Sequence, residues 1–129
     1  LESLTKLTEL DLCGNHISDI NPISRLTNLE TLSLDENQIS DLRPLSNLTK
    51  LDFLTLSENQ ISDLKPISKL TNLTYLGLEN NQITSLAGLE NLTNLTRIYA
   101  SGNPLTDTSA LEVSGCMGAL QTDSKYYNN

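Results

Sequence analysis

Asparagine returns every 22 residues in this chain, at Asn15, Asn37, Asn59, Asn81 and Asn103. Each closes a frame Leu-x-x-Leu-x-Leu-x-x-Asn. The frame runs through Leu7, Leu10, Leu12; Leu29, Leu32, Leu34; Leu51, Leu54, Leu56; and Leu73, Leu76, Leu78. The fifth copy, Leu95, Ile98, Ala100, Asn103, departs from it. A fixed period of this length points to a solenoid, in which each unit buries its apolar side only against its neighbours. Composition agrees: aromatic residues make up 4% of the chain and there is no Trp. Leu and Ile must therefore fill the core, which suits thin stacked layers of similar side chains.

Counting each repeat from Leu4, Leu26, Leu48, Leu70 and Leu92, positions seven and nine are apolar and alternate with polar residues. That alternation predicts one short strand per repeat with a single face inward, and in-register stacking gives a parallel sheet. The asparagine at position twelve follows the strand where the chain turns away. Its amide both donates and accepts, so it can bond its own loop and the adjacent layer, predicting a buried ladder of the five side chains. Ser18-Asp19, Ser40-Asp41, Ser62-Asp63, Thr84-Ser85 and Thr106-Asp107 read as turn and N-cap residues. Pro22, Pro44 and Pro66 follow. Proline suits the first position of a helical turn and restricts the residue before it, so the return segment has room for about one turn of 3₁₀ helix. Repeat four has Gly88 in place of the proline and repeat five has Ala110. The pattern decays toward a closing layer over roughly residues 107 to 122, with a short helix starting at Asp107.

The unit Leu26 to Asn47 closely resembles the leucine-rich repeats of bacterial internalins and their eukaryotic SDS22-like relatives, and the likeness covers residues 1 to about 111. The resemblance implies an α/β solenoid: a leucine-rich-repeat right-handed superhelix with a parallel concave sheet and short 3₁₀ turns on the convex side. Residues 1–111 would hold about five repeats, the first truncated, and 112–129 a degenerate capping layer and polar tail. Leu1-Glu2-Ser3 aligns with Leu89-Glu90-Asn91, the end of a repeat, so a piece of a longer array is expected. By the same resemblance the function is protein–protein interaction through the concave face, in a bacterial surface or secreted protein. The alternatives are an intracellular SDS22-like regulatory subunit, with cytoplasmic localisation, or a recognition domain attached to an enzyme.

The formal net charge of −8 argues against nucleic acid and anionic lipid, which need clustered Lys and Arg. No apolar run is long enough to span a bilayer. Catalysis, cofactors and metals are not expected. The single His16 stands in a column of Gln38, Gln60, Gln82 and Pro104. The Asp19, Asp41, Asp63, Asp107 column offers one carboxylate per layer, whereas Ca²⁺ wants six or more oxygens converging from one loop. Four Asn-Leu-Thr stretches, at Asn47, Asn72, Asn91 and Asn94, arise from the repeat itself. Cys13 and Cys116 lie about four layers apart, roughly 20 Å at strand spacing, too far for a disulfide.

The informative columns are those on the exposed strand face, at positions six, eight, ten and eleven. Phe53, Tyr75 and Tyr99 fall there in adjacent layers, beside Arg97. Aromatic and Arg side chains most often carry interface energy. Asp35, Glu36, Glu58 and Glu79 form an acidic rim around them. These eight are the candidate partner-binding residues. The expected partner is a basic protein, engaged by a monomer without membrane insertion.

Overall fold

The computed structural model describes residues 2–122, which form one continuous stack. Six parallel strands lie in chain order: β1 (Glu9–Asp11), β2 (Thr31–Ser33), β3 (Phe53–Thr55), β4 (Tyr75–Gly77), β5 (Arg97–Tyr99) and β6 (Leu120–Gln121). The register advances by 22 residues per layer, so Leu10, Leu32, Leu54, Leu76, Ile98 and Leu120 stand in one row. The sheet hydrogen bonds run on past each strand. The amides of Leu12, Leu34, Leu56 and Leu78 donate to Ser33, Thr55, Gly77 and Tyr99 of the next layer at 2.7–2.9 Å. From Ile20 to Ala119 the inward leucines and isoleucines form one buried cluster.

The proline repeats return as expected. One 3₁₀ turn covers Asn21–Ile23, Arg43–Leu45 and Lys65–Ile67, each with its proline in the first turn. The aspartates act differently from the N-cap expectation. The cap positions are Ile20, Leu42 and Leu64, without a side-chain bond. Each aspartate instead accepts the amide two residues on, as Asp19 does from Asn21 and Asp63 from Lys65, both at 2.9 Å. This is an Asx turn that fixes the entry into the helical turn. Asp41 also pairs with Arg43 at 2.8 Å, and hydrogen bonding to that guanidinium holds its carboxyl down to about 2.

Repeat four has no helical turn. Gly88 has φ +113°, and a Cβ there would lie 2.7 Å from the carbonyl oxygen of Leu64. The glycine thus lets two layers approach where the others use proline. Its amide donates to Glu90 Oε1 at 2.7 Å. Here the outer segments pair directly, through a parallel bridge between Ser85 and Asp107.

The sixth layer holds a helix, α1 (Ser109–Ser114), then a 3₁₀ turn (Met117–Ala119) and β6. The helix starts two residues later than Asp107, because that carboxylate accepts the amide and hydroxyl of Ser109 at 3.0 and 2.7 Å and serves the turn before it. The tail beyond Thr122 lies outside the described residues.

At the opposite end the layer is open. Leu7, Leu10, Leu12 and Ile17 are only partly buried, and Leu4 is 43% exposed. Leu4, Leu7, Leu10, Leu12, Ile23 and Leu26 line most of an apolar hollow of about 550 Å³. Cys13 is exposed and Cys116 buried, both free.

Candidate functional site

The asparagine column is the scaffold on which the strand face rests. Asn59 Nδ2 donates to the carbonyls of Leu56, Ser57 and Leu34 at 3.0–3.2 Å, and its Oδ1 accepts the amide of Ile39 at 3.0 Å. Asn37 and Asn81 repeat this pattern one layer on either side. All three are 7–8% exposed. Asn103, half-buried, accepts from both Asn81 N and Ile83 N. Asn15 differs from the expected buried ladder: it is exposed and bonds only Leu12 and Cys13 of its own loop. No strand precedes β1 among the described residues, so it has no adjacent backbone to serve.

Two further columns stabilise the turns and escaped the sequence reading. Asn28, Asn72 and Asn94 each donate to the threonine carbonyl of the preceding layer, at 2.8–3.0 Å. Their spacing was visible, but Lys6 and Lys50 interrupt the column. The other column is position eleven, where Gly14, Glu36, Glu58, Asn80 and Gly102 all have φ between +57° and +76°. There the chain turns sharply while the amide still reaches the next layer, as Glu58 N does to Glu79 O at 2.8 Å. The glycines at both ends of that column were the available signal. A left-handed backbone costs a non-glycine residue roughly 1–2 kcal/mol, so Glu36 and Glu58 sit where glycine would be easier.

On the strand face, the register places Phe53, Tyr75 and Arg97 in one row and Thr55, Gly77 and Tyr99 in another. Phe53 stacks on Tyr75, with ring centroids 4.2 Å apart and planes at 13°. Tyr75 meets Tyr99 diagonally at 5.4 Å and 46°. Gly77, the register partner of Tyr99, carries no side chain; a Cβ there would lie 2.6 Å from Thr55 Oγ1. The three rings therefore form one column, each half-buried by its neighbours. Arg97 is exposed at its end.

The acidic residues divide into two kinds. Glu36 and Glu58 are exposed, and Glu58 Oε1 accepts from Asn80 Nδ2 at 2.7 Å. Asp35 and Glu79 are half-buried and turned toward layer three. Asp35 Oδ1 accepts from Thr55 Oγ1 at 2.6 Å and from Ser57 N at 2.7 Å. Glu79 Oε1 accepts from Ser57 Oγ at 2.8 Å. Sequence columns could not reveal this inward turn, because the same residue types also serve as a free rim. Glu9, Asp11, Thr31 and Ser33 line a polar hollow of about 340 Å³ at the other end of the face. Across its four columns the face carries six carboxylates against one guanidinium, Arg97. Burial first, then the charges of Tyr99, Glu79 and Asp35, pushes the Tyr75 hydroxyl above the ordinary tyrosine range.

Chemistry is sparse elsewhere. Among the described residues no group of three or more His, Cys, Asp or Glu side chains could hold a metal ion. His16 is exposed. Partial burial of its sulfur, then the Asp11 carboxylate beside it, pushes the Cys13 thiol up to about 11, the reverse of what a nucleophile needs. Among the described residues no helix is long and apolar enough to cross a membrane.

Comparison with known proteins matches the geometry. The family described as "Leucine Rich repeats (2 copies)" matches four overlapping stretches, residues 5–47, 27–69, 49–91 and 71–113. Among curated proteins nothing is matched. Solved structures are similar. Internalin C2 from Listeria monocytogenes is 34% identical with a TM-score of 0.89, covering 93% of this chain and 53% of its own. Internalin F from the same organism is 36% identical with a TM-score of 0.81, covering 93% of this chain and 35% of its own. A leucine-rich-repeat protein of Leptospira interrogans is 28% identical with a TM-score of 0.66, covering 93% and 38%. The chain thus spans about half, or less, of the length of these proteins. The stacked 22-residue layers, the parallel sheet and the matched residues agree: the chain belongs to the leucine-rich-repeat family, with internalin-like repeats, and is a protein-interaction repeat module.

Proposed function

We propose that this module binds a basic protein ligand on its concave strand face, centred on Phe53, Tyr75, Arg97 and Tyr99, and that it acts as a monomer by binding rather than catalysis. The internalin-like repeats favour a place in a bacterial surface or secreted protein. One observation carries the reading. Three aromatic rings contact one another across consecutive layers on the open side of the sheet, one pair stacked and one tilted, where the repeat itself demands none. Side chains already held against one another on rigid strands lose little freedom on binding. The carboxylates around them, Glu36, Glu58, Glu79 and Asp35, favour a partner of opposite charge and speed its approach at low salt.

The test is binding of candidate partner proteins to the chain and to single variants. Tyr75→Ala and Tyr99→Ala are expected to weaken binding at least about tenfold each, while Lys65→Ala and Lys69→Ala on the convex side leave it unchanged. Loss in the lysine variants with the tyrosine variants unaffected would move the site to the other face.

A further inference from the structure

Building on that binding face, we infer that its partner presents an arginine whose guanidinium stacks on the Tyr75–Tyr99 pair and is neutralised by Asp35 and Glu79. The two rings stand 5.4 Å apart at 46° beside Gly77, where the sheet surface carries no side chain. Two residues further along the strands, in the next row, stand the two half-buried carboxylates, Asp35 in layer two and Glu79 in layer four, both tied to layer three. Thr55 and Ser57 hold Asp35, and Ser57 holds Glu79. Their hydrogen bonds fix the oxygens without neutralising them. Among the described residues the ion pair present is Arg43–Asp41, which lies away from this face. Two half-buried carboxylates facing one layer attract a cation supplied by the partner.

The chemistry selects guanidinium over ammonium. A planar, weakly hydrated cation can lie on an aromatic ring and still direct N–H donors to carboxylates at its edge, whereas an ammonium is a compact, strongly hydrated point charge. The carboxylate oxygens are held in place before the partner arrives, so little ordering remains for them. Glu36 and Glu58, exposed on the same edge, extend the favourable field beyond the single contact. The occupant is therefore an arginine on a basic segment of a protein.

The experiment is an NMR titration of the isotopically labelled chain with three capped tripeptides, acetyl-Gly-X-Gly-amide, where X is arginine, lysine or citrulline. Citrulline keeps the shape of arginine and lacks its charge. The arginine peptide should shift the amides of Tyr75, Gly77 and Tyr99 most, and bind at least about fivefold more tightly than the citrulline peptide and more tightly than the lysine peptide. Asp35→Asn and Glu79→Gln keep an oxygen that can still accept from Thr55 and Ser57. Together they should reduce arginine binding about fivefold or more, while Asp63→Asn on the convex side leaves it unchanged. Equal response to arginine and citrulline, or largest shifts on the convex side, overturns the assignment. So does partner binding that Tyr75→Ala abolishes but the Asp35→Asn and Glu79→Gln variants leave intact. In that case the aromatic face stands as a binding site and only the arginine contact fails.

Discussion

The ring of Phe53 lies against that of Tyr75 with its plane only 13° from parallel, and their residues are direct register partners on β3 and β4. A 22-residue step thus becomes a surface feature: two side chains distant in sequence stand one strand apart. A stacked pair adds about 0.5–1.5 kcal/mol beyond burial, so the column also stiffens the sheet that displays it.

The asparagine column should dominate local stability. Asn59→Ala leaves the amide of Ile39 without its partner inside the stack and removes one of the two asparagine amides that donate to the carbonyl of Leu56. It is expected to cost about 1–3 kcal/mol, read as a lower urea midpoint, whereas Glu58→Ala should stay within about 0.5 kcal/mol. Equal midpoints would remove the structural role of the column.

Glu58 should respond in the opposite sense to glycine. Its φ of 59° is left-handed, and glycine adopts that conformation without the Cβ penalty. Glu58→Gly is expected to leave the midpoint unchanged or raise stability by about 0.5–1 kcal/mol, after glycine's extra unfolded-state entropy is set against the relief. A loss above that size would show that the contact with Asn80 outweighs the strain.

Gly88→Ala tests the close approach in repeat four. The new Cβ would meet the backbone of Leu64 and Lys65 at 2.7–2.9 Å, and neither can swing aside as a side chain would. A loss of about 2 kcal/mol or more is expected in thermal or urea unfolding. A variant as stable as the parent would mean that the outer segments are not packed this closely.

Cys13 should behave as a sluggish thiol. With its ionisation pushed up to about 11, little thiolate exists at pH 8, and alkylation should quicken about tenfold per pH unit until pH approaches 11. Asp11→Asn removes the carboxylate that accounts for part of the rise, so it should shift the rate profile to lower pH. A profile with its midpoint near the ordinary thiol value would contradict the geometry around Asp11.

Much of this fold was legible because its repeat is simple. Leu54, Asn59 and Pro66 each occupy a column whose residue type states its job: core, ladder and return turn. The rest depended on backbone angles and rotamers, which columns do not encode. Glu36 and Glu58 looked like ordinary rim acids, yet their backbone is left-handed. Asp35 and Glu79 looked like the same rim, yet they turn inward because Thr55 and Ser57 offer them hydroxyls across the layer. The three aromatic positions were readable, but the contact of Tyr75 with Tyr99 runs diagonally to the register, which pairs Tyr75 with Arg97, and the columns do not encode it.

The most direct measurement is hydroxyl-radical footprinting of the chain alone and in complex with a partner protein. The proposed site predicts protection of Phe53, Tyr75 and Tyr99 in the complex, with Pro44 and Pro66 on the convex turns as reactive as in the free chain. Protection of the convex prolines with the three rings unchanged would contradict it.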